Sequence, residues 1–292
     1  MNRGNSMTMK STIVVFCAML AIGGVQMATA QREQPVRGSV VFKSTGNTVT
    51  NATVTFERPT QRQKRQQVTD SAGRFSFGTR EVGVVSVAHP GYAPAYRRWP
   101  PLSGDDVVVE LEPAATVSGT LTDSLTGAPL VGRVTVIVEQ IPHQSVSVSA
   151  ESLPNGSFTV ENLPSGEAVV FSVAEEYAPA ASSMFDLAAG SVWTENLSLP
   201  LGVALSGQVL DSAGEPVPRA EVEFEYSNAA NGGVLGGFVG GQLYSDSEGT
   251  FELTNLVPGE TLQVWAEDGV NTTGVVTVFV SGGGQEIVLQ LP

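Results

Sequence analysis

Cysteine is all but missing from this chain of 292 residues, which contains only Cys17. That residue sits in an apolar stretch from Ile13 to Val25, after Lys10 and before Ala28-Thr29-Ala30. A basic start, a short apolar run and an A-x-A site make a secretory signal peptide over residues 1–30, cut after Ala30 so that Gln31 leads the mature chain. The run is well short of the ~20 apolar residues that a bilayer span requires. Val14, Val15 and Phe16 precede Cys17, where a bacterial lipoprotein site would carry a small residue, so a lipid anchor is not expected. Cleavage removes Cys17 and with it any disulfide, thiol nucleophile or thiolate metal ligand. Small secreted animal domains tend to be stapled by disulfides, so an exported chain without them points to a bacterial envelope. No later stretch is apolar and long enough to cross a membrane.

Histidine is scarce too, with His89 and His143 alone in the chain. A catalytic zinc usually takes three protein ligands, and the four-residue step from Glu139 to His143 suits a helix rather than a strand. Serines are plentiful, yet none stands in G-x-S-x-G with triad partners downstream, and a triad needs a histidine base. Glycosidase chemistry asks for two facing carboxylates, one of raised pKa. The acidic run Glu221, Glu223, Glu225 alternates instead, as on a solvated sheet face. Asp70-Ser71-Ala72-Gly73 and Asp246-Ser247-Glu248-Gly249 offer hard oxygens, but too few for an EF-hand loop, and Asp and Ser are ordinary turn formers. The expectation is a protein that is not an enzyme, with no catalytic residue, no cofactor and no metal.

Basic residues are thin and unevenly placed. Residues 31–113 carry 11 Lys and Arg against 8 Asp and Glu; residues 114–200 carry 1 against 9, and residues 201–292 carry 1 against 12. The basic residues gather at Arg58, Arg62, Lys64, Arg65, Arg97 and Arg98. Such asymmetry either steers a polyanion such as an acidic glycan or simply keeps the protein soluble. A formal net charge of -14 on an exported chain excludes nucleic acid as an expected partner.

Helical periodicity is the last absence. What is present is short alternation broken by Gly, Pro, Asn and Asp, which is the all-β pattern, and it recurs three times. Each unit opens on apolar-x-Gly-x-apolar: Val36 to Val40, Val117 to Leu121, Leu205 to Val209. A second strand follows at Ala52 to Phe56, Arg133 to Ile137 and Ala220 to Phe224. A glycine turn then leads into a phenylalanine: Gly73 and Phe75, Gly156 and Phe158, Gly249 and Phe251. The glycine is expected at positive φ in a tight hairpin, and the ring in the core. Two units continue with Asn162-Leu163-Pro164-Ser165-Gly166 and Asn255-Leu256-Val257-Pro258-Gly259. Strands ending in Ala88, Ala174 and Ala266 come next, and closing strands at Val107 to Leu111, Val192 to Leu199 and Ile287 to Leu291. On that alignment His89 falls beside Glu175 and Glu267, a routine position.

These markers resemble the carboxypeptidase regulatory-like domain, a transthyretin-like (prealbumin-like) Greek-key sandwich. The likeness lies in the V-x-G-x-V opening, the A-x-V strand, Thr69-Asp70 to Phe75, the L-x-x-G turn and Gly91-Tyr92, and it is best in the first unit. It implies an all-β chain of three tandem Greek-key, prealbumin-like β-sandwich domains of about seven strands each, over residues 31–113, 114–200 and 201–292. Linkers near Pro113-Ala114 and Pro200-Leu201 are very short, so a semi-rigid array is expected.

The resemblance implies a passive module found beside peptidases, in outer-membrane transporters and in surface proteins. The leading expectation is a secreted, periplasmic or cell-surface interaction and scaffold protein, whose partner is an unknown protein or polysaccharide of the cell envelope. Related sandwiches bind starch, so a carbohydrate-binding protein is the alternative, and an accessory subunit of a peptidase or transporter a second one. The candidate ligand-binding residues are Tyr92, Tyr96, Arg97, Arg98 and Trp99, followed by Pro100 and Pro101. Flat rings and arginines bury contact area at low entropic cost; the other reading is that Tyr92 and Trp99 cap the sandwich. The glycine-rich stretch from Asn228 to Gly241 has no Gly-Lys-Ser/Thr and reads as a long hairpin rather than a phosphate loop. Asn51, Asn196 and Asn271 head N-x-S/T triplets.

Overall fold

The computed structural model describes residues 36–58, 63–78, 82–99, 106–141, 144–227, 240–282 and 284–292. The expected signal peptide over residues 1–30, Arg62, Pro100, Pro101, His143 and most of the glycine-rich stretch lie outside the described residues. The described chain is all-β, without a helix, and forms six sheets.

One seven-strand order repeats. In the first stretch the strands are β1 (Val36–Phe42), β2 (Thr53–Arg58), β3 (Gln63–Val68), β4 (Arg74–Phe77), β5 (Gly83–Ala88), β6 (Ala95–Trp99) and β7 (Val107–Leu111). They make a three-stranded sheet β4-β1-β7, in which β1 and β7 run parallel, facing an antiparallel sheet β3-β2-β5-β6. The chain therefore changes sheet after strands one, three, four and six, which is the Greek-key path of the prealbumin-like sandwich.

The second stretch holds β8 (Ala115–Asp123), β9 (Gly132–Ile141), β10 (Gln144–Glu151), β11 (Ser157–Leu163), β12 (Gly166–Ala174), β13 (Ala180–Ala181), β14 (Phe185–Leu187), β15 (Val192–Thr194) and β16 (Leu197–Leu199). Here the sixth and seventh strands are each cut in two, so that β13 and β14 both pair β12, and β15 and β16 both pair β8. The third holds β17 (Val203–Leu210), β18 (Glu221–Tyr226), β19 (Gly240–Tyr244), β20 (Thr250–Leu256), β21 (Thr261–Glu267), β22 (Val276–Phe279) and β23 (Gln285–Gln290), ordered β20-β17-β23 and β19-β18-β21-β22. Three buried clusters follow the three sheet pairs, around Phe56 and Leu111, Leu121 and Leu163, and Leu205 and Leu262.

The recurring motif residues have definite jobs. Gly73, Gly156 and Gly249 take φ of 70°, 79° and 71°, a left-handed turn that other residues adopt only with strain. Phe75, Phe158 and Phe251 then enter the cores. Each ring lies across the opening glycine of the first strand: Gly38 pairs with Phe75, Gly119 with Phe158 and Gly207 with Phe251. A Cβ on any of these glycines would overlap the ring or the backbone of the closing strand, so the V-x-G-x-V marker is a space requirement of the aromatic. One residue before each hairpin turn, Thr69, Ser152 and Ser245 are buried. Each hydroxyl accepts the first N–H of the second strand, from Ala52, Gly132 and Ala220, and donates to Val49, Leu130 and Val217 carbonyls.

Those bonds also correct the alignment of the repeats. Gly132, not Arg133, matches Ala52 and Ala220, and Arg133 points outward. Ala88 is exposed while Ala266 is fully buried, so the alanines that close the fifth strands are not equivalent. By cross-strand register Val87, Ser172 and Ala266 are the matching residues, and His89 does not match Glu267. Strand side chains alternate with period two, so a slip of one residue exchanges core for surface. The closing strand expected over Val192 to Leu199 breaks at Glu195-Asn196, and the Asn196 Oδ1 accepts from the Thr120 N–H and hydroxyl.

Candidate functional site

The five candidate ligand residues do not form a loop. Tyr96 to Trp99 lie on β6, an edge strand, and alternation divides them between its two faces. Tyr96 and Arg98, opposite Ser86 and Val84, are on the outer face and exposed. Arg97, opposite Val85, belongs to the inner side; it emerges at the sheet edge and donates to the Tyr96 carbonyl at 2.9 Å. Trp99 is 5 % exposed and part of the buried cluster around Phe56. A ring in that position packs the core and offers no face to a ligand, which corrects the expectation for this residue. Tyr92 is half-buried and packs on Phe42 at 4.7 Å and on His89 at 5.4 Å. The structure thus keeps Tyr96 and Arg98 together, places Arg97 behind them, and sets Tyr92 and Trp99 to internal packing. Of the other basic residues, Arg58 is buried, and Lys64 pairs with Glu57 at 3.0 Å.

Tyr92 belongs to a junction instead. Its backbone bridges Pro113, the Ala93 N–H donates to the Glu112 carbonyl, and the Ala114 N–H donates to the Gly91 carbonyl. The same clamp recurs one sheet pair later. Tyr177 bridges Leu201, Ala178 donates to Pro200, and Gly202 donates to Glu176. The short linkers are therefore held as two-residue ladders and not as free chain.

Side chains reinforce both junctions through the same turn of the following segment. At the first, Glu112 Oε2 meets Lys43 Nζ at 3.0 Å, while Oε1 accepts from the Ser165 N–H and hydroxyl, both at 2.7 Å. Burial pushes the Glu112 pKa up, but the Ser165 donors and Lys43 outweigh it and hold the carboxyl below its ordinary value. At the second, Val257 packs against Phe171, as Val173 and Ala181 do, on the outer side of β12 and β13. Ser165 and Val257 both lie in the Asn-Leu-x-x-Gly turns read from the sequence. One joint is polar, the other apolar. Lys43, Ala95, Arg97, Glu110, Glu112 and Ser165 line a small cleft of about 120 Å³ at the polar one.

The aspartates weighed as calcium ligands are occupied by backbone donors. Asp70 Oδ1 accepts from the Ala72 and Arg74 N–H groups, and Asp246 Oδ1 from Glu248 and Thr250. The backbone bonds lower the Asp70 pKa; that of Asp246 is lowered first by the Thr250 hydroxyl, which donates to Oδ2, and then by its backbone bonds, and turn bonds lower Asp123 and Asp268 likewise. Asp123 also accepts from the Tyr177 hydroxyl at 2.8 Å. Each carboxylate caps its own turn. Two features carry no mark in the sequence: Glu112 with Ser165, and a stack of Phe185 on Trp193 at 4.4 Å. The buried hydroxyls carry one, a Ser or Thr immediately ahead of each hairpin turn, of which only Thr69 stands out among the motifs.

Residues 116–200 match the family model of the carboxypeptidase regulatory-like domain. The match falls on the second segment, although the markers in the sequence looked densest in the first. No curated protein matches the chain. Among solved structures it is similar to the Bacillus anthracis TIE protein, at 15% identity and a TM-score of 0.29, over 88% of this chain and 50% of that one. It is also similar to a Streptococcal ancillary pilin, at 12% identity and a TM-score of 0.31, over 89% of this chain and 99% of the pilin. A 3-chlorocatechol 1,2-dioxygenase from Rhodococcus opacus 1CP aligns at 12% identity and a TM-score of 0.26, over 31% of this chain and 58% of the enzyme. The chain spans half the length of the TIE protein.

Proposed function

We propose that this protein is an exported, non-catalytic carrier in which three regulatory-like sandwiches, residues 31–113, 114–200 and 201–292, serve as a scaffold of the cell envelope or extracellular space. The observation that carries the reading is the doubled clamp, Tyr92 on Pro113 and Tyr177 on Leu201, each backed by a side-chain contact. An enzyme built of tandem domains needs a cleft that gathers reactive groups; a carrier needs joints that transmit position. Sandwich order, spent carboxylates and clamped linkers all suit the second task. Fractionation of cells making the tagged chain tests it: the protein is expected in the medium or envelope with Gln31 at its N-terminus, and retention of the uncleaved chain in the cytoplasm would overturn the reading.

Carbohydrate binding is the second reading, favoured by the outer face of the first four-stranded sheet. There Tyr96 and Arg98 share a polar surface with Ser86, Thr55 and Gln66. A polysaccharide array with the wild-type chain and the Tyr96→Ala, Arg98→Ala double variant tests it; binding lost in the variant supports a glycan site, and silence of the wild type removes it. Trp99 is unsuited to this test because its removal would damage the core.

A further inference from the structure

The outer face of the sheet β19-β18-β21-β22 differs from the matching face of the first sheet pair. Glu221, Glu223 and Glu225 stand in a row along β18, and Glu267 of β21 lies directly opposite Glu221. None of the four makes an ion pair among the described residues. Like charges set directly opposite each other on a sheet are destabilising. The first sheet pair avoids that cost with Thr53 and Thr55 in the corresponding row.

Rings sit among these carboxylates. Trp265 is the cross-strand partner of Glu223, and Tyr244 that of Glu221. Phe279 lies at the far edge of the same face, opposite Thr261. Tyr244 and Phe279 are 59% and 58% exposed. Carboxylates alternating with ring faces make a surface for guanidinium groups: the quadrupole of a ring attracts the cation, and a carboxylate takes it through two parallel hydrogen bonds.

The chain carries that chemistry at its other end. Nine of the 11 basic residues in 31–113 are arginines. Arg65, Arg97 and Arg98 are exposed, and none of them is held in an ion pair among the described residues. Arg98 and Tyr96 lie on the outer face of β6, which is itself an edge strand.

We propose that the carboxylate and aromatic face of the third sheet pair docks on the arginine-bearing β6 edge of the first sheet pair of a second copy. The two surfaces are different, so the contact is head-to-tail, and each copy keeps one face of each kind free for the next. Charge complementarity of this type speeds encounter and weakens with salt, because the screening length falls from ~10 Å at 0.1 M to ~3 Å at 1 M.

Sedimentation of the purified protein tests this at about 20 mM and about 1 M salt. The weight-average mass is expected to rise with concentration at low salt to twice the monomer or more, and to return to the monomer at high salt. A Glu221→Gln, Glu223→Gln, Glu225→Gln variant retains only the basic face, and an Arg97→Glu, Arg98→Glu variant only the acidic one. Each is expected to be folded and monomeric alone, and their mixture to form a heterodimer that grows no further. A wild-type monomer at low salt, association that survives both sets of changes, or a mixture that stays monomeric would each overturn the contact. Any of these would leave the scaffold reading standing.

Discussion

Two kinds of residue recur in every sandwich and a third is particular to the first, and each fails differently when altered. The first is the glycine and phenylalanine pair. Phe251→Ala removes a buried ring and is expected to cost about 3–5 kcal/mol, whereas Gly207→Ala adds a methyl where the ring already lies and costs about 1–3 kcal/mol by overpacking. The second is the buried hydroxyl. Ser245→Ala leaves the Ala220 N–H and Val217 carbonyl without partners, for a loss of about 1–3 kcal/mol in urea denaturation. The third is the tryptophan of the first sheet pair. Trp99→Ala is expected to cost about 3–5 kcal/mol, while Tyr96→Ala and Arg98→Ala stay within about 0.5 kcal/mol of the wild type. A Trp99→Ala variant as stable as the wild type would refute its place in the core.

Residue patterns were legible in the sequence where they repeat and illegible where they meet. Gly73 at positive φ and Phe75 in the core follow from turn chemistry and alternation alone, since both are local demands. Trp99 misled because composition cannot say which way an edge strand faces: Tyr-Arg-Arg-Trp reads as a recognition cluster until pairing with β5 sends alternate side chains to opposite sides. The slip at Arg133 has the same origin. Setting Arg133 beside Ala52 matches no letter of the two strands, and the inward and outward alternation requires Gly132 in that place.

At the scale of elements, the joints are the features that only three dimensions could reveal. Glu112 and Ser165 are far apart in the chain, and neither belongs to a motif that announces a contact. Their bond makes the first joint sensitive to pH. The Glu112 pKa is lowered in the folded state from 4.5, so the joint contributes its full stability above about that pH and loses it as pH falls through the folded value. The amide of Ser165 should therefore exchange faster, once pH falls below that folded value, than its intrinsic rate change explains. Glu112→Gln should show that faster exchange already at pH 7. The contact of Val257 with Phe171 at the second joint has no titratable group and should show no such dependence, the Tyr177 bond to Asp123 being the part of that joint that weakens in acid; Val257→Asp should loosen the contact at every pH. Acid loosening of both contacts alike would contradict this difference. The four capped turns add a common trend, for Asp70, Asp123, Asp246 and Asp268 all have lowered pKa values and give up their stabilisation in acid.

At the scale of the whole molecule, charge and topology run in opposite senses. Topology repeats with little change from the first sheet pair to the third, while the balance of basic and acidic residues moves from 11 against 8 to 1 against 12. The fold needs only the inward half of each strand, so the outward half is free to vary. That division explains why the architecture could be read from the order of residues, whereas the acidic face with its rings became visible only once β18, β19, β21 and β22 were set side by side. The proposed scaffold requires joints as firm as its strands.

Hydrogen exchange at the junction amides measures that firmness directly. At the two junctions the Ala114 and Gly202 N–H groups donate back to Gly91 and Glu176 at 3.1 and 2.9 Å, and the Ala93 and Ala178 N–H groups fasten Glu112 and Pro200 into the same ladders at 3.0 and 2.9 Å. Clamped joints predict that these four amides are protected like those in the interior of β2 or β18, well beyond the ordinary protection of surface loops. Exchange at the rate of exposed chain at both linkers would contradict the scaffold, leaving three independent sandwiches on flexible tethers.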